Sequence, residues 1–178
     1  MANIIAIASG KGGVGKTWLS ITIANAFANS GRKALLFDGD IGLANVDVQL
    51  GLSPKKDLGD VFAGKVSLAD SVTRYDAGKF DIIAGRSGSG SLANLSVEKI
   101  NSLRTDLDKL SKNYDLVVLD LGAGIESQVQ ALARLASKCL IVITDEPTSL
   151  TDAYAFIKVL RLTDPSMEIQ VIVKIGRA

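Results

Sequence analysis

Six short apolar runs recur along the chain, and polar stretches separate them. Within each run the apolar residues are continuous rather than alternating, which is typical of strands covered on both faces, as in a parallel sheet. We therefore predict strands at residues 3–8, 34–38, 80–84, 115–120, 139–144 and 169–174.

Apolar positions spaced by three and four residues predict helices between several of these strands. The first helix is expected over residues 16–29, and Gly31 provides its C-terminal stop. A third helix is expected over roughly residues 126–137. The second helix lies between the first and the third and is predicted from one apolar stripe, made by Val97, Ile100, Leu103, Leu107 and Leu110.

The last predicted helix begins after Pro147, with Thr148 or Ser149 as its N-cap. Strands that alternate with helices indicate an α/β fold, with a doubly wound, mostly parallel sheet flanked by helices in three layers. In such sheets, ligands bind at the carboxyl ends of the strands. The length of 178 residues suits one domain over 1–178. The buried side of the last helix is expected to contain Leu150, Ala153, Ile157 and Leu160.

The composition of the chain excludes several kinds of site and partner. Twenty basic and nineteen acidic residues leave a net charge of +1, so no overall field attracts nucleic acid or an anionic membrane. The absence of histidine excludes the usual zinc ligand sets and any Ser-His-Asp triad, and the single cysteine, Cys139, excludes a disulfide framework. The first residues read as a strand rather than a signal peptide, and no apolar run has the length of a membrane span. We expect a cytoplasmic protein.

The run 8-ASGKGGVGKTWLS-20 follows the first predicted strand and fits the phosphate-loop pattern G-x-x-x-x-G-K-[ST]. Its glycines let backbone N–H groups approach phosphate oxygens, and the helix that follows directs its positive end at the same anion. Lys16 is expected to reach the β and γ phosphates, and the Thr17 hydroxyl to bind Mg²⁺. The pattern explains neither the second lysine, Lys11, nor the bulky Trp18.

Acidic residues end two of the predicted strands. Asp38 and Asp40 follow the second strand, where carboxylates hold a metal-bound water or orient an attacking water, or else form a solvated acidic turn. Asp120 ends an apolar strand like the Walker B carboxylate that supports Mg²⁺, or else caps a turn. Glu146 is either a helix-start acid that favours the helix dipole or a contact at a dimer surface.

Taken together, these segments resemble a known family over essentially the whole chain. The loop GKGGVGKT, with a lysine just after its first glycine, resembles the deviant Walker A motif of the MinD/ParA ATPases, which are P-loop NTPases. DGDIGLANVDVQLGL resembles the switch region of that family, and LDLGAGI resembles its Walker B strand and second switch. DEPTSLTDAYAFIK is most similar to the flagellar-number branch, FlhG/FleN.

The resemblance implies an ATPase that alternates between an ADP-bound or apo monomer and an ATP-sandwich dimer. Lys11 would reach the partner's nucleotide phosphates and Asp40 would position the attacking water, so the implied catalytic residues are Lys11, Lys16 and Asp40. Mg²⁺ would be held by Thr17, Asp38 and Asp120, and Glu146 would contact the dimer partner or a ribose. The implied ATP/ADP-binding residues are Gly10, Lys11, Gly12, Gly13, Val14, Gly15, Lys16, Thr17 and Trp18.

The function implied is a switch that sets the place or number of a cellular structure, flagella first, with hydrolysis stimulated by a protein partner. MinD-like division-site selection and ParA-like DNA partition are the alternatives within the family, although the near-zero net charge argues against a nucleic-acid partner. A nucleotide-binding module that does not hydrolyse ATP is the alternative outside the enzyme class. Trp18 and Lys174 favour that module, since the family has a small or polar residue and an adenine-recognising asparagine there.

Family members also continue for several tens of residues beyond the position that corresponds to Ala178. The flagellar and division branches then end in an amphipathic membrane-targeting helix. We therefore expect the chain to lack the usual C-terminal part, which leaves membrane contact and base specificity open. The expected location is cytoplasmic or peripheral to the inner membrane.

Overall fold

The computed structural model describes residues 3–40, 44–85 and 96–176. All six predicted strands are present, with ends within three residues of the prediction, and a further strand, Val72–Tyr75, was not predicted. In chain order the strands are β1 Ile4–Ser9, β2 Ala34–Gly39, β3 Val72–Tyr75, β4 Phe80–Ile83, β5 Leu116–Ala123, β6 Lys138–Thr144 and β7 Glu168–Lys174.

The strands form one sheet in the order β3-β4-β2-β5-β1-β6-β7. Every neighbouring pair is parallel except β3 and β4, which are antiparallel. β1 lies between β5 and β6, so its carboxyl end is flanked by theirs at one edge of the sheet. The mostly parallel sheet predicted from continuous apolar runs is confirmed, and its carboxyl edge is where this topology places ligands.

Helices connect the strands. α1 begins and ends where the sequence predicts, at Lys16 and Asn29, and Gly31 follows it in the left-handed region at φ 80°. The helix expected over 126–137 is shorter, because it ends at Ala133. The two short helices α2 and α3 were not predicted. In the described ranges, the helices are α1 Lys16–Asn29, α2 Val46–Leu50, α3 Leu58–Phe62, α4 Val97–Ser111, α5 Ser127–Ala133 and α6 Pro147–Thr163, and a 3₁₀ turn spans Ala69–Ser71.

The core consists of two layers, one on each face of the sheet. Val14, Ala24 and Ala28 pack on one face together with the even-numbered residues of β5, such as Val118. The opposite face is covered by α4, α5 and α6, whose apolar side chains pack on the odd-numbered residues of β5, such as Val117. Helices on both sides of a mostly parallel sheet are the three-layer, doubly wound arrangement expected from the sequence.

Three details of the predicted helices are wrong. The N-cap of α6 is Glu146, with Pro147 at the first helical position, rather than Thr148 or Ser149. Leu150 is 50% exposed, because Ser149 and Ala153 occupy the buried side of the first turns. Val97 is 72% exposed, because the apolar stripe of α4 meets the core only further along the helix. A spacing pattern identifies a helical face but not where that face leaves the core.

Candidate functional site

The glycine-rich loop joins β1 to α1 at the carboxyl edge of the sheet. Gly13 and Gly15 adopt positive φ angles of 76° and 97°, where any residue with a side chain would be strained. A Cβ at Gly10 would overlap the main chain of Asp152, so the loop packs directly against α6. The loop therefore needs glycine at these positions for conformation and for close packing.

At the start of α1, no side chain of the cap accepts a hydrogen bond from the first backbone N–H groups. Gly15 is the N-cap, and no side chain caps the helix, so its first N–H groups and its dipole favour an anion at this point. Val14 is buried in the core, and what it offers a ligand is its main chain. A Cβ at Gly12 or Gly13 would meet no atom of the described residues within 4 Å, which leaves space over this part of the loop.

Lys16, the first residue of α1, is the buried cation of the loop, with only 7% of its surface exposed. Burial lowers the pKa of its amine, and the negative charges of Asp120 and Asp40 oppose that shift. A lysine held in this way is positioned to bind phosphate oxygens rather than solvent.

Asp38 and Asp120 lie opposite each other on the adjacent strands β2 and β5. Burial and the nearby charges of Asp120 and Asp40 raise the pKa of Asp38 to about 7, although hydrogen bonds from the backbone oppose the shift. Those bonds come from the N–H groups of Asp40, Asn45 and Val46, at 3.2, 3.1 and 3.1 Å. Asp38 therefore also fixes the backbone on both sides of residues 41–43, which lie outside the described residues.

Asp120 is held from α1. Ser20 Oγ lies 2.9 Å from Asp120 Oδ1, and Thr17 also donates a hydrogen bond to this carboxylate. Burial raises the pKa of Asp120, while the bonds from Thr17 and Ser20 and the charge of Lys16 oppose the shift. The phosphate loop and the Walker B strand are thus joined by buried hydrogen bonds.

The donors around these carboxylates fit a magnesium ion. Thr17, Asp38 and Asp120 provide only oxygen atoms, which Mg²⁺ prefers. Within residues 3–40, 44–85 and 96–176, no three His, Cys, Asp or Glu side chains form a metal-binding cluster. In nucleotide sites, Mg²⁺ binds through one or two carboxylates together with substrate phosphates and water rather than in an all-protein cage.

Asp40 points into the same region. A Cβ at Gly122 would lie 3.3 Å from Asp40 Oδ1, so glycine at the end of β5 makes space for this carboxylate. The Asp40 charge also acts on Lys16. The structure therefore brings together Lys16, Thr17, Asp38, Asp40 and Asp120 at the carboxyl edge of the sheet.

Of these residues, Lys16, Thr17 and Asp40 line a cleft of about 530 Å³, within the usual size of a small-molecule site. Trp18 lies on the wall of this cleft with 63% of its surface exposed. Such exposure shows that the tryptophan is not a core residue, and it leaves the indole face available to a ligand or to another protein. The other walls of the cleft come from the loop, from β2 and β5, and from α2 and α5.

Lys11 lies apart from this cluster. Its amine forms an ion pair with Glu146 and lies 3.3 Å from Thr148 Oγ1, both at the start of α6. The side chains of Lys11 and Glu146 are 39% and 57% exposed. The two lysines of the loop thus have opposite environments, one buried among carboxylates and the other paired at the surface.

Four residues near the site were missed by sequence reasoning. Ser20 could have been found from the sequence, because it lies four residues after Lys16 and therefore on the same, buried face of α1. Glu126 has no such signal: its carboxylate folds over Gly124, whose φ is 104°, and both follow the Walker B strand. Asn45, the N-cap of α2, and Gln49, near the end of that helix, also line the cleft, and α2 was not predicted.

Known proteins share both the sequence pattern and the fold. A family model described as an AAA domain matches residues 2–172. Antiactivator FleN of Pseudomonas aeruginosa is 46% identical over 157 residues, which are 88% of this chain and 56% of that protein. Flagellum site-determining protein YlxH of Helicobacter pylori is 37% identical, over 87% of this chain and 52% of that protein. This chain thus spans about half the length of these curated relatives.

Solved structures of MinD proteins have the same fold as this chain. In the MinC:MinD cell division protein complex of Aquifex aeolicus, a chain 34% identical to this one superposes with a TM-score of 0.82 over 97% of this chain and 68% of its own length. The septum site-determining protein MinD of Pyrococcus horikoshii, solved with Mg-ADP, is 28% identical with a TM-score of 0.84, over 97% of this chain and 70% of its own.

No helix in the described ranges combines the length and the apolar character that a membrane span requires. The family of this chain follows from its sequence motifs, its sheet order and its relatives. Those motifs are the deviant phosphate loop and the Walker B strand, and the relatives include both FleN and MinD. The chain belongs to the MinD/ParA family of P-loop ATPases, in its FlhG/FleN branch.

Proposed function

We propose that this protein is an ATP-dependent dimerising switch that hydrolyses ATP with Mg²⁺. The observation that supports this proposal is the contrast between its two loop lysines. Lys16 faces the carboxylates of its own site, whereas the Lys11 amine turns away toward α6. A surface lysine next to a phosphate loop is available to a second copy of the chain. In the dimer, Lys11 of one copy binds the phosphates of the other.

The chemistry needs positive charge where negative charge develops on the transferred phosphoryl group. Lys16 and the N–H groups at the start of α1 bind the phosphates from within the chain, and Asp40 orients the attacking water. Thr17, Asp38 and Asp120 would hold a Mg²⁺ ion, which would supply positive charge to the phosphate oxygens. Lys11 adds its charge only on dimerisation, so hydrolysis depends on assembly. Glu146, released from Lys11, becomes available to the partner copy or to a ribose hydroxyl.

The process that we propose is control of flagellar number or placement. Support comes from the relatives named antiactivator FleN and flagellum site-determining protein YlxH. A protein partner stimulates hydrolysis, and the active species is a cytoplasmic homodimer. Division-site selection is the second candidate, favoured by the TM-score of 0.84 with MinD. The net charge of +1 disfavours a partition ATPase that binds nonspecific DNA.

Lys11→Ala tests the mechanism. In the wild-type protein, ATP and Mg²⁺ should double the mass measured by light scattering, and ADP should not. The variant should stay monomeric with ATP, bind ADP within about threefold of wild type, and hydrolyse ATP at least ~100-fold more slowly, since it lacks the partner's charge at the transition state. Lys112→Ala, which removes an exposed lysine at the end of α4, is the control and should match wild type.

Asp40→Ala separates the switch from a module that binds nucleotide without hydrolysing it. If Asp40 orients the attacking water, this variant should dimerise with ATP and then remain dimeric, because hydrolysis no longer releases the two copies. Hydrolysis by Lys11→Ala at the wild-type rate, or wild-type protein that stays monomeric with ATP, would contradict the proposed mechanism.

A further inference from the structure

Lys174 ends β7, the edge strand of the sheet, yet its side chain reaches the phosphate loop. A Cβ at Gly15 would lie 3.3 Å from the Lys174 Nζ, 3.4 Å from its Cδ and 3.6 Å from its Cε. The last three atoms of this side chain therefore rest against the N-cap of α1. Gly15 accommodates them both by its left-handed backbone and by its lack of a side chain.

This position is unfavourable for a lysine unless an anion is present. The N-terminus of a helix has a partial positive charge, and here no side chain caps it. Lys16, the first residue of the same helix, adds a second cation. In the described part of the chain, no carboxylate forms an ion pair with the Lys174 amine. A bound anion would therefore stabilise this arrangement.

A second polar group without a partner lies beside it. Thr144 is the residue opposite Lys174 in the β6–β7 pair, and residues opposite each other in a sheet have side chains on the same face. That face is the α1 side, because Val142, two residues earlier on β6, packs in the core layer under α1. Among the described residues, Thr144 Oγ1 is a buried polar atom that has no hydrogen-bond partner. Buried hydroxyl groups rarely lack partners unless a ligand or a water provides one.

We propose that Lys174 is a third phosphate-binding lysine, whose amine donates to phosphate oxygens of the nucleotide held by the loop. This inference rests on the proposed nucleotide-binding function. Lys16 faces Asp120 of β5 and Asp40 just after β2, where the proposed function places the terminal phosphate, whereas Lys174 approaches Gly15 from β7. Lys174 therefore acts on the phosphates that ADP and ATP share. It contributes to binding of both nucleotides and not to the chemical step.

Lys174→Gln removes the charge and keeps most of the side-chain length, while Lys174→Arg keeps the charge. The affinities of ADP and ATP with Mg²⁺ should be measured by titration calorimetry at low and at high salt. Lys174→Gln should weaken both nucleotides about 10-fold, as expected for loss of one charge-assisted hydrogen bond, and should reduce the salt dependence of binding. Lys174→Arg should remain within about threefold of wild type, and turnover at saturating ATP should change less than about twofold in both variants.

Lys138→Gln provides the matched control. Lys138 lies at the opposite end of the β6–β7 pair, bound to Glu168 at 2.8 Å, so its loss changes the net charge equally but far from the loop. It should leave nucleotide affinity within about twofold of wild type.

The outcomes separate this inference from the function on which it rests. Failure of the wild-type protein to bind ADP or ATP would overturn the proposed function itself. Wild-type binding with equal affinity in Lys174→Gln would overturn only the phosphate role of Lys174. A changed preference between ATP and GTP, with an unchanged salt dependence, would also overturn it, because the lysine would then contact the base.

Discussion

The inner and outer parts of the phosphate loop are built differently. The inner part joins Lys16, Thr17 and Ser20 of α1 to Asp120 of β5 through buried hydrogen bonds and charges. The outer part joins Lys11 to Glu146 of α6 through an ion pair whose side chains are 39% and 57% exposed. Both parts use a lysine and a carboxylate, but only the inner pair is shielded from water.

This difference in burial determines which part can change state. A buried charge that loses its partner leaves an uncompensated group in a low-dielectric site, which costs several kcal/mol. An exposed pair is worth about 1 kcal/mol or less, so either member can exchange its partner for water or for another ligand at little cost. The inner part is therefore suited to holding nucleotide, and the outer part to a contact that breaks and re-forms.

Lys16→Met is expected to have the largest effect, because it removes the buried cation and keeps the length of the side chain. The positive charge that separates the Asp120 and Asp40 carboxylates from a bound phosphate is then lost. We expect hydrolysis to fall at least ~100-fold and nucleotide binding to weaken strongly, measured by phosphate release and calorimetry. Circular dichroism should show an intact fold. Nucleotide affinity equal to that of the wild type would mean that the inner part is not the binding site.

Ser20→Ala tests the inner part without removing a charge. Ser20 Oγ lies 2.9 Å from Asp120 Oδ1 and 3.0 Å from the Lys16 carbonyl oxygen, in a fully buried position. Its loss leaves a buried carboxylate short of a donor, so the free energy of unfolding in urea should fall by about 1–3 kcal/mol.

Ser30→Ala is the control for this measurement, because Ser30 is exposed at the other end of α1 and bonds the Phe27 carbonyl at 2.7 Å. It should change the free energy of unfolding by under ~0.5 kcal/mol. Equal effects of the two serine changes would remove the distinction between a buried and an exposed network.

The sequence predicted the inner part better than the outer one, for a physical reason. The residues from Gly10 to Thr17 and the ends of β2 and β5 are local patterns: a glycine run between a strand and a helix, and an acid after an apolar strand. Asp38 lies opposite Asp120 because β2 and β5 are neighbours in the sheet, and the local patterns do not report that strand order. The six main strands and α1 were predictable on the same grounds, because continuous apolar runs report burial on both faces.

Contacts between distant segments were not predictable in this way. Lys11 meets Glu146 across 135 residues of sequence, and Lys174 meets Gly15 only because β7 lies next to β6. The antiparallel strand β3 was missed because its four residues, Val72–Tyr75, are only partly buried at the edge of the sheet and have no continuous apolar run. Such features depend on tertiary packing and edge position, which spacing patterns do not report.

Glu146→Gln is expected to have the smallest effect on stability and tests the outer part. Because the ion pair with Lys11 is largely exposed, its loss should change the free energy of unfolding by less than ~0.5 kcal/mol. The same change should favour assembly, since Lys11 no longer has to leave a carboxylate before it reaches a partner's phosphates, while the amide still hydrogen-bonds to the partner copy or to a ribose hydroxyl. Half-maximal dimerisation, measured by light scattering, should therefore need less ATP than in the wild type. Glu168→Gln is the control, because it breaks another exposed ion pair, with Lys138 at 2.8 Å, at the end of β6 and β7 away from the loop. A destabilisation as large as that of Ser20→Ala would show that the outer pair is a structural element, and an unchanged ATP requirement would show that Glu146 does not restrain Lys11.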